Sequence, residues 1–389
     1  MIIDLLERTA VGMAVPADPL SWLTSAFAAA KPNLLSQVSA EAADDRLPVR
    51  YFEKELAQFF GTRHVIICRS QSEAVQAALI GLQLQPGDEV IVPALGARPL
   101  VNAIRAIGLK PVVVDVDEET FHLTPQAIAR HLTDRTRAIV PVHVFGQCVD
   151  MEALLVLAYQ HRLHIVEEAS QAVGAVYTFA NRTVRKVGTL GHASVLSLPV
   201  FAPLGGPTMG GAVLTNNDAL AEELRALLSG AHPVPGLTGE KEFFNDDFST
   251  AVLSNAHLQQ LYQSNLMRLL TAVTYDDLLL EIPGVETPKG VPYSTHVFQE
   301  YAVLITRGRR DGLARFLCEN GVVLPETGYL LSTDEAAGSF PAAESIAASL
   351  LLLPIHSASD RPTQEDLCDL IGEYMSAHEY DPTASGQYC

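Results

Sequence analysis

From residue 49 onward the chain alternates between two hydrophobic rhythms. Runs that are apolar at nearly every position, His64–Ile67, Glu89–Pro93, Pro111–Val116, Ala138–Phe145, His164–Val166, Ala193–Leu198 and Ala212–Thr215, are separated by helical spacing of apolar residues at 72–83, 98–107, 125–132 and 150–161. Strands with no polar side, alternating with helices, predict a mainly parallel sheet covered by helices on both faces. Just ahead of them Phe52, Leu56 and Phe59 or Phe60 recur at helical spacing, up to a stop at Gly61. Residues 1–48, broken by Pro16, Pro19 and Pro32, read as an N-terminal arm. The rhythm changes again near residue 256, with a helix from Ala256 to Leu280, a strand at Glu300–Ile305, a helix over 309–320 and a closing helix after Pro362. The expected fold is therefore α/β, with a large domain over 49–255 and a smaller C-terminal α/β domain over 256–389.

Composition narrows the classes. At 389 residues, 48% hydrophobic and 18% charged, the chain describes a compact globular protein of two or three domains. The richest apolar run, Ser349–Ile355, is far shorter than the ~20 residues of a membrane span. The opening MIIDLLERTAVGM carries acidic residues inside its apolar part and no basic leader, so a cytoplasmic protein with no membrane partner is expected. A net charge of −19 argues against a nucleic-acid partner, which needs a basic face. Cys68, Cys148, Cys318, Cys368 and Cys389 show no CxxC spacing, so neither a disulfide framework nor a metal site is expected.

The chemistry centres on Gly188 to Val213, GTLGHASVLSLPVFAPLGGPTMGGAV, where a strand runs into a Pro/Gly loop and a second strand leaves it. This layout resembles the lysine loop of the DegT/StrS family of sugar aminotransferases. The likeness extends from Tyr51 to Ile355: Glu55-Leu56-Ala57 with Phe60-Gly61, Pro86 to Pro93, Lys110-Pro111-Val112 with Asp115-Val116-Asp117, Pro141 to Gly146 with Asp150-Met151, and Phe340 to Glu344 with Leu353 to His356. Each piece is weak alone; six in order, counting the central loop, are specific. The resemblance implies the fold type I aminotransferase architecture, pyridoxal phosphate held by a lysine, and a homodimer with sites at the subunit interface.

Laid on the family pattern without a gap from Gly191 to Ala212, Ser197 takes the place of the family serine and Ala202 that of the Schiff-base lysine. An alanine cannot form an imine. The phosphate-holding turn corresponds to Ser70, Gln71 and Ser72, with Gln71 replacing a glycine and Ser72 also readable as a helix N-cap. The slot for the ring that stacks on the coenzyme falls on Ala97, beside a new cation, Arg98, able to bind a carboxylate or phosphate. Glu168 stands where the family aspartate faces the pyridine nitrogen, and Gln171 keeps the family glutamine. His192 replaces an aspartate and is a second candidate for proton chemistry. Phe243 to Phe248 stands where the family carries an arginine segment, and Leu324-Pro325-Glu326 where it carries His-Tyr-Pro. Among the six lysines, Lys186 lies closest in sequence to the loop, within a hairpin-like piece.

Three readings follow. The first is an enzyme repurposed for pyridoxal-phosphate-independent, non-covalent chemistry on a small anionic or sugar-like metabolite. In it Glu168 is the acid or base and Gln171, Ser197 and Arg98 position the substrate, in a cleft kept polar at Glu167, Glu168, Gln171 and Ser197. The second is a non-catalytic partner or regulatory paralogue that dimerises with itself or with a related aminotransferase. The third is an enzyme using pyridoxamine phosphate, where His192 would have to supply the base that Ala202 cannot. No covalent cofactor is expected, and non-covalent binding of pyridoxal or pyridoxamine phosphate stays open.

Overall fold

A computed structural model describes residues 47–198, 210–229, 248–306, 308–325, 339–355 and 364–377. The expectations placed on the arm, on Ala202 and its loop, on Phe243 to Asp247 and on Glu326 lie outside the described residues.

Helix α1 (Leu47–Phe60) leads into β1 (His64–Cys68), α2 (Gln71–Gly81), β2 (Glu89–Pro93), α3 (Arg98–Ala106), β3 (Lys110–Val114), α4 (Pro125–Ala129), β4 (Thr136–Ile139), α5 (Met151–His161) and β5 (His164–Glu168). A hairpin of β6 (Val176–Thr178) and β7 (Val184–Lys186) follows, then β8 (Ala193–Ser197), β9 (Gly211–Thr215) and α6 (Asp218–Leu228). Seven strands form one sheet in the order β1-β9-β8-β5-β4-β2-β3, parallel except for β9, which runs against both β1 and β8. This is the mainly parallel sheet that the apolar runs predict. β2 shows why: every residue of EVIVP is buried. Val90 and Val92 enter one core layer with α2 and α3, and Ile91 the opposite layer with α1 and α5, as a period of two requires.

One expected strand is shorter than its apolar run. Ala138–Phe145 reads as continuous, yet β4 stops at Ile139. Pro141 has no N–H to give the ladder, and the chain then turns through a 3₁₀ segment, Val144–Gly146, with Phe145 and Gly146 at φ 59° and 103°. A Cβ on Gly146 would lie 2.8 Å from the amide nitrogen of Gln299, so the glycine lets this turn pack on the segment that leads to residue 301.

A second core surrounds the antiparallel sheet of β10 (Val285–Glu286), β11 (Tyr301–Ile305) and β12 (Leu350–Leu353). Tyr275, Leu279, Tyr301, Val303, Leu313, Leu351 and Ile371 fill it, from α7 (Phe248–Leu279), α8 (Arg310–Glu319), α10 (Gln364–Ala377) and the sheet. Helix α7 is one uninterrupted element of 32 residues, so the boundary expected between 255 and 256 falls inside it. The two cores are joined where Asp115 caps α9 (Pro341–Ser349), accepting from the amides of Ala342 at 3.0 Å and Ala343 at 2.9 Å.

The topology brings the C-terminal ends of β1, β8, β5, β4, β2 and β3 to one edge, where β9 begins. Gly211, the first residue of β9, lies against the turn that opens α2. A Cβ there would stand 2.2 Å from the carbonyl oxygen of Ser70 and 2.8 Å from the nitrogen of Gln71. Both obstacles are backbone and cannot swing aside. Gly211→Ala is therefore expected to destabilise the fold by about 2–4 kcal/mol, measured by urea unfolding. A cost within experimental error would show that β9 does not press on this turn.

Candidate functional site

Two adjacent carboxylates end β5, and alternation along the strand sends them to opposite faces. Both are buried, at 0% exposure for Glu167 and 4% for Glu168, so each must find donors. Glu167 accepts from the amides of Gly188 at 3.0 Å, Leu190 at 2.6 Å and Gly191 at 2.7 Å, and from His143 Nε2 at 3.1 Å. His143 Nδ1 accepts from the amide of Val149 at 3.1 Å, which assigns the ring proton to Nε2. Glu167 is thus consumed in holding the 188–191 turn. Its expected place in the polar cleft beside Glu168 is corrected by the pleat.

Glu168 faces the other way. Its Oε1 accepts from Gln71 Nε2 at 2.8 Å, from the amide of Ser170 at 3.1 Å, and from the Ser170 hydroxyl in a short contact. That hydroxyl accepts in turn from the amide of Ser197 at 2.7 Å, so β8 and the turn after β5 are tied through one oxygen. Oε2 has no hydrogen-bond partner among the described residues. Burial raises the pKa of Glu168, and the hydrogen bonds from Ser170 and Gln71 oppose the rise.

The remaining candidates distribute around this carboxylate. Ser70 is the N-cap of α2, its Oγ accepting from the amide of Glu73 at 3.1 Å. Glu73 folds back to accept from the amide and Nε of Arg69, both at 2.7 Å. The helix N-terminus is thereby capped and carries its own carboxylate, with Ser72 half-buried in its first turn. Gln171 lies in the 3₁₀ turn Ser170–Ala172, but its Oε1 accepts from the amide of Phe145 at 2.6 Å and so braces the turn after β4. Ala97 is fully buried in the core, and Arg98 opens α3 half-buried, two strands away from β5.

His192 is placed at the opposite edge of the sheet. It precedes β8, its Nδ1 accepting from the amide of Ile165 at 3.0 Å and its amide donating to the carbonyl of Ile165 at 2.9 Å. Three residues of strand separate that level from Glu168, about 10 Å. Its ring packs edge-on against His164, and burial lowers its pKa. The geometry thus joins Glu168, Gln71 and Ser197 and leaves His192 apart. Ser170, the hub of the arrangement, was not singled out by sequence; a hydroxyl two residues after a buried carboxylate was the available signal.

None of the described lysines contacts this group. Lys54 is exposed on α1, Lys110 pairs with Glu89 at 3.0 Å, and Lys289 pairs with Glu119 at 3.2 Å. Lys186 is held by the carbonyl of Phe59, by the Tyr262 hydroxyl at 3.2 Å, and over the Phe59 ring at 4.2 Å. Among the described residues no group of three or more His, Cys, Asp or Glu could hold a metal ion, and no helix is long and apolar enough to cross a membrane.

The raised pKa of Glu168 has a consequence for stability. Between its ordinary value of 4.5 and the raised folded value, the folded protein keeps a proton that the unfolded chain releases. Glu168 therefore subtracts stability as pH rises through that window, and the full cost is present above it. Glu168→Gln is expected to be more stable than the parent at neutral pH by about 1 kcal/mol, with the gap closing on acidification. Thermal unfolding across pH measures this; a gap that widens in acid would contradict it.

Residues 47–371 match the DegT/DnrJ/EryC1/StrS aminotransferase family. The chain is 32% identical over 376 residues to a protein of Geobacillus stearothermophilus named pleiotropic regulatory protein, covering 92% of this chain and 98% of that one. It is 34% identical over 337 residues to the dTDP-3-amino-3,4,6-trideoxy-alpha-D-glucose transaminase of Streptomyces venezuelae, covering 83% of this chain and 86% of that one. The crystal structure of S. venezuelae DesV in complex with a ketimine intermediate has a TM-score of 0.75 to it at 31% identity, over 92% of this chain and 96% of that one. With its core, its mainly parallel sheet and nearly its whole length accounted for in this way, the chain belongs to the DegT/DnrJ/EryC1/StrS aminotransferase family.

Proposed function

We propose that this chain binds a small anionic or sugar-like metabolite at the C-terminal edge of its sheet and acts on it by proton transfer at Glu168, without a lysine-linked coenzyme. The observation that carries the reading is the division of labour in that carboxylate. Oε1 is held by Gln71 and Ser170, while Oε2 has no partner among the described residues. A carboxylate at a parallel strand end, oriented through one oxygen and with its pKa raised by burial, suits a general acid or base.

The family's covalent pyridoxal phosphate does not fit the residues present. The ungapped register from Gly191 to Ala212 puts Ala202 in the lysine slot. Ala97 offers no ring, the α2 N-terminus is capped by Ser70 and carries the Glu73 carboxylate in its first turn, and Gln71 stands where a glycine would admit a phosphate. No step is routed through the coenzyme. In the proposed chemistry Glu168 Oε2 accepts or returns a proton, Gln71 and Ser170 keep the carboxyl plane in one orientation, and the amide of Ser197 fixes the Ser170 hydroxyl as a donor.

The substrate class rests on the relatives, named as transaminases of dTDP- and UDP-linked amino sugars. Those names also speak for ordinary nitrogen transfer, and the register at position 202 weighs against it. A second reading, a non-catalytic or regulatory partner, draws support from the 98% length match to the pleiotropic regulatory protein. It draws support too from Tyr262, Met267 and Leu270, left 54%, 53% and 39% exposed on α7. Either reading includes a dimer, with itself or with a related aminotransferase.

The test has two arms. Purified protein mixed with pyridoxal phosphate and borohydride, then mapped by peptide mass, is expected to yield no lysine adduct; a stoichiometric adduct on any lysine would restore the transaminase reading. A panel of dTDP- and UDP-linked keto sugars in heavy water is expected to show exchange of the proton on the carbon next to the carbonyl, which takes up the electron pair as an enolate, and this exchange falls about 10²-fold or more in Glu168→Gln. Absence of exchange together with a stable complex with an active family member would decide for the partner reading.

A further inference from the structure

Gln71 and Glu168 depart from the family pattern at separate places in the sequence, and the fold brings the two departures together. One replaces a glycine, and the other lengthens an acid by one methylene, about 1.5 Å of reach. The amide and the lengthened carboxylate meet at 2.8 Å, ordinary hydrogen-bond distance. Gln71 Nε2 also lies 3.4 Å from Ser170 Oγ, so the amide occupies the space above both members of the turn.

In the family pattern, the carboxylate at the place of Glu168 faces the protonated ring nitrogen of the coenzyme. Here the chain itself presents a donor to that oxygen. Each carboxylate oxygen offers about two lone-pair sites, and Oε1 already receives Gln71 Nε2, the Ser170 amide and the Ser170 hydroxyl. A further N–H aimed at Oε1 finds no lone pair, and a ring placed to offer one meets the Gln71 side chain. A ligand that approaches Oε2 meets neither obstacle.

Resting on the function proposed above, we infer that Gln71 is the specificity residue of this site: its amide takes the donor position of a pyridinium nitrogen, excludes B6 coenzymes, and leaves Oε2 for a hydroxyl-bearing ligand. The substitution that removes the amide should readmit the coenzyme. Gln71 is the first residue of α2, with Ser70 providing the cap, so Gly or Ala there leaves the helix start intact.

Pyridoxamine phosphate is the probe, because it carries an amine rather than an aldehyde and cannot be captured by a lysine. Its binding to the full chain is measured by equilibrium dialysis, read by its own absorbance, with ligand-dependent thermal unfolding in parallel. The parent is expected to bind no tighter than the millimolar range, with Gln71→Gly and Gln71→Ala each at least tenfold tighter, equivalent to about 1.4 kcal/mol. Glu168→Asp added to Gln71→Gly should tighten binding further. Two results would overturn the inference: micromolar binding by the parent, or binding by both single variants that is no tighter than the parent's. A borohydride-fixed pyridoxal phosphate adduct in the parent would strike the coenzyme-free reading and the inference together, whereas variants that bind no tighter than an adduct-free parent would strike the inference alone, so the two failures are distinguishable.

Discussion

A carboxylate withdrawn from water at the end of a parallel strand must be given donors or a proton, and that demand organises the centre of this molecule. β5 makes it twice in succession. Glu167 is answered by three backbone amides and His143, a closed set that fixes the 188–191 turn. Among the described residues Glu168 is answered on one oxygen, by a side chain from α2 and by the turn that follows its own strand. One residue of offset along the pleat separates an anion held on both oxygens from one held on Oε1 alone among the described residues.

The second answer depends on architecture well beyond the pair. Gln71 reaches Glu168 because α2 starts where β1 ends, and β1 lies close because Gly211 lets β9 press on the Ser70–Gln71 backbone. Ser170 reaches Glu168 while accepting from β8, so the carboxylate, the turn and the neighbouring strand form one connected unit. Gln171 extends the same unit to the Phe145–Gly146 turn, which meets the segment leading to β11 through the bond from Val297 to Gly146 at 3.0 Å. The site is thus connected by hydrogen bonds to the segment that enters the second core at β11.

Much of the fold was legible because burial writes itself as hydrophobic period. The uniformly apolar runs located the interior strands, and the helical spacings located the helices between them. The signal failed where a local rule overrode the run: Pro141 ended β4 inside a stretch that reads as strand to Phe145. β12, Leu350–Leu353, was seen only as a short apolar run, since four leucines carry no period. The site was harder, because hydrogen-bond partners come from sequence distances that no local pattern records. Gln71 and Glu168 were each marked as departures from a family pattern, but their meeting across 97 positions was not readable. His192 stands where the resemblance places an aspartate, but the structure sets it level with Ile165, at the end of the sheet opposite Glu168. Glu167 and Glu168 are neighbours in sequence, yet the pleat sends them to opposite faces of the sheet.

The account rests on the claim that the protein itself occupies the coenzyme's partner oxygen. A high-resolution crystal structure of the parent protein soaked with pyridoxal phosphate tests this most directly. The account predicts Gln71 Nε2 within hydrogen-bond distance of Glu168 Oε1 and no density linking a lysine to the coenzyme. A pyridine ring nitrogen in place of that amide, with Gln71 turned away, would contradict it.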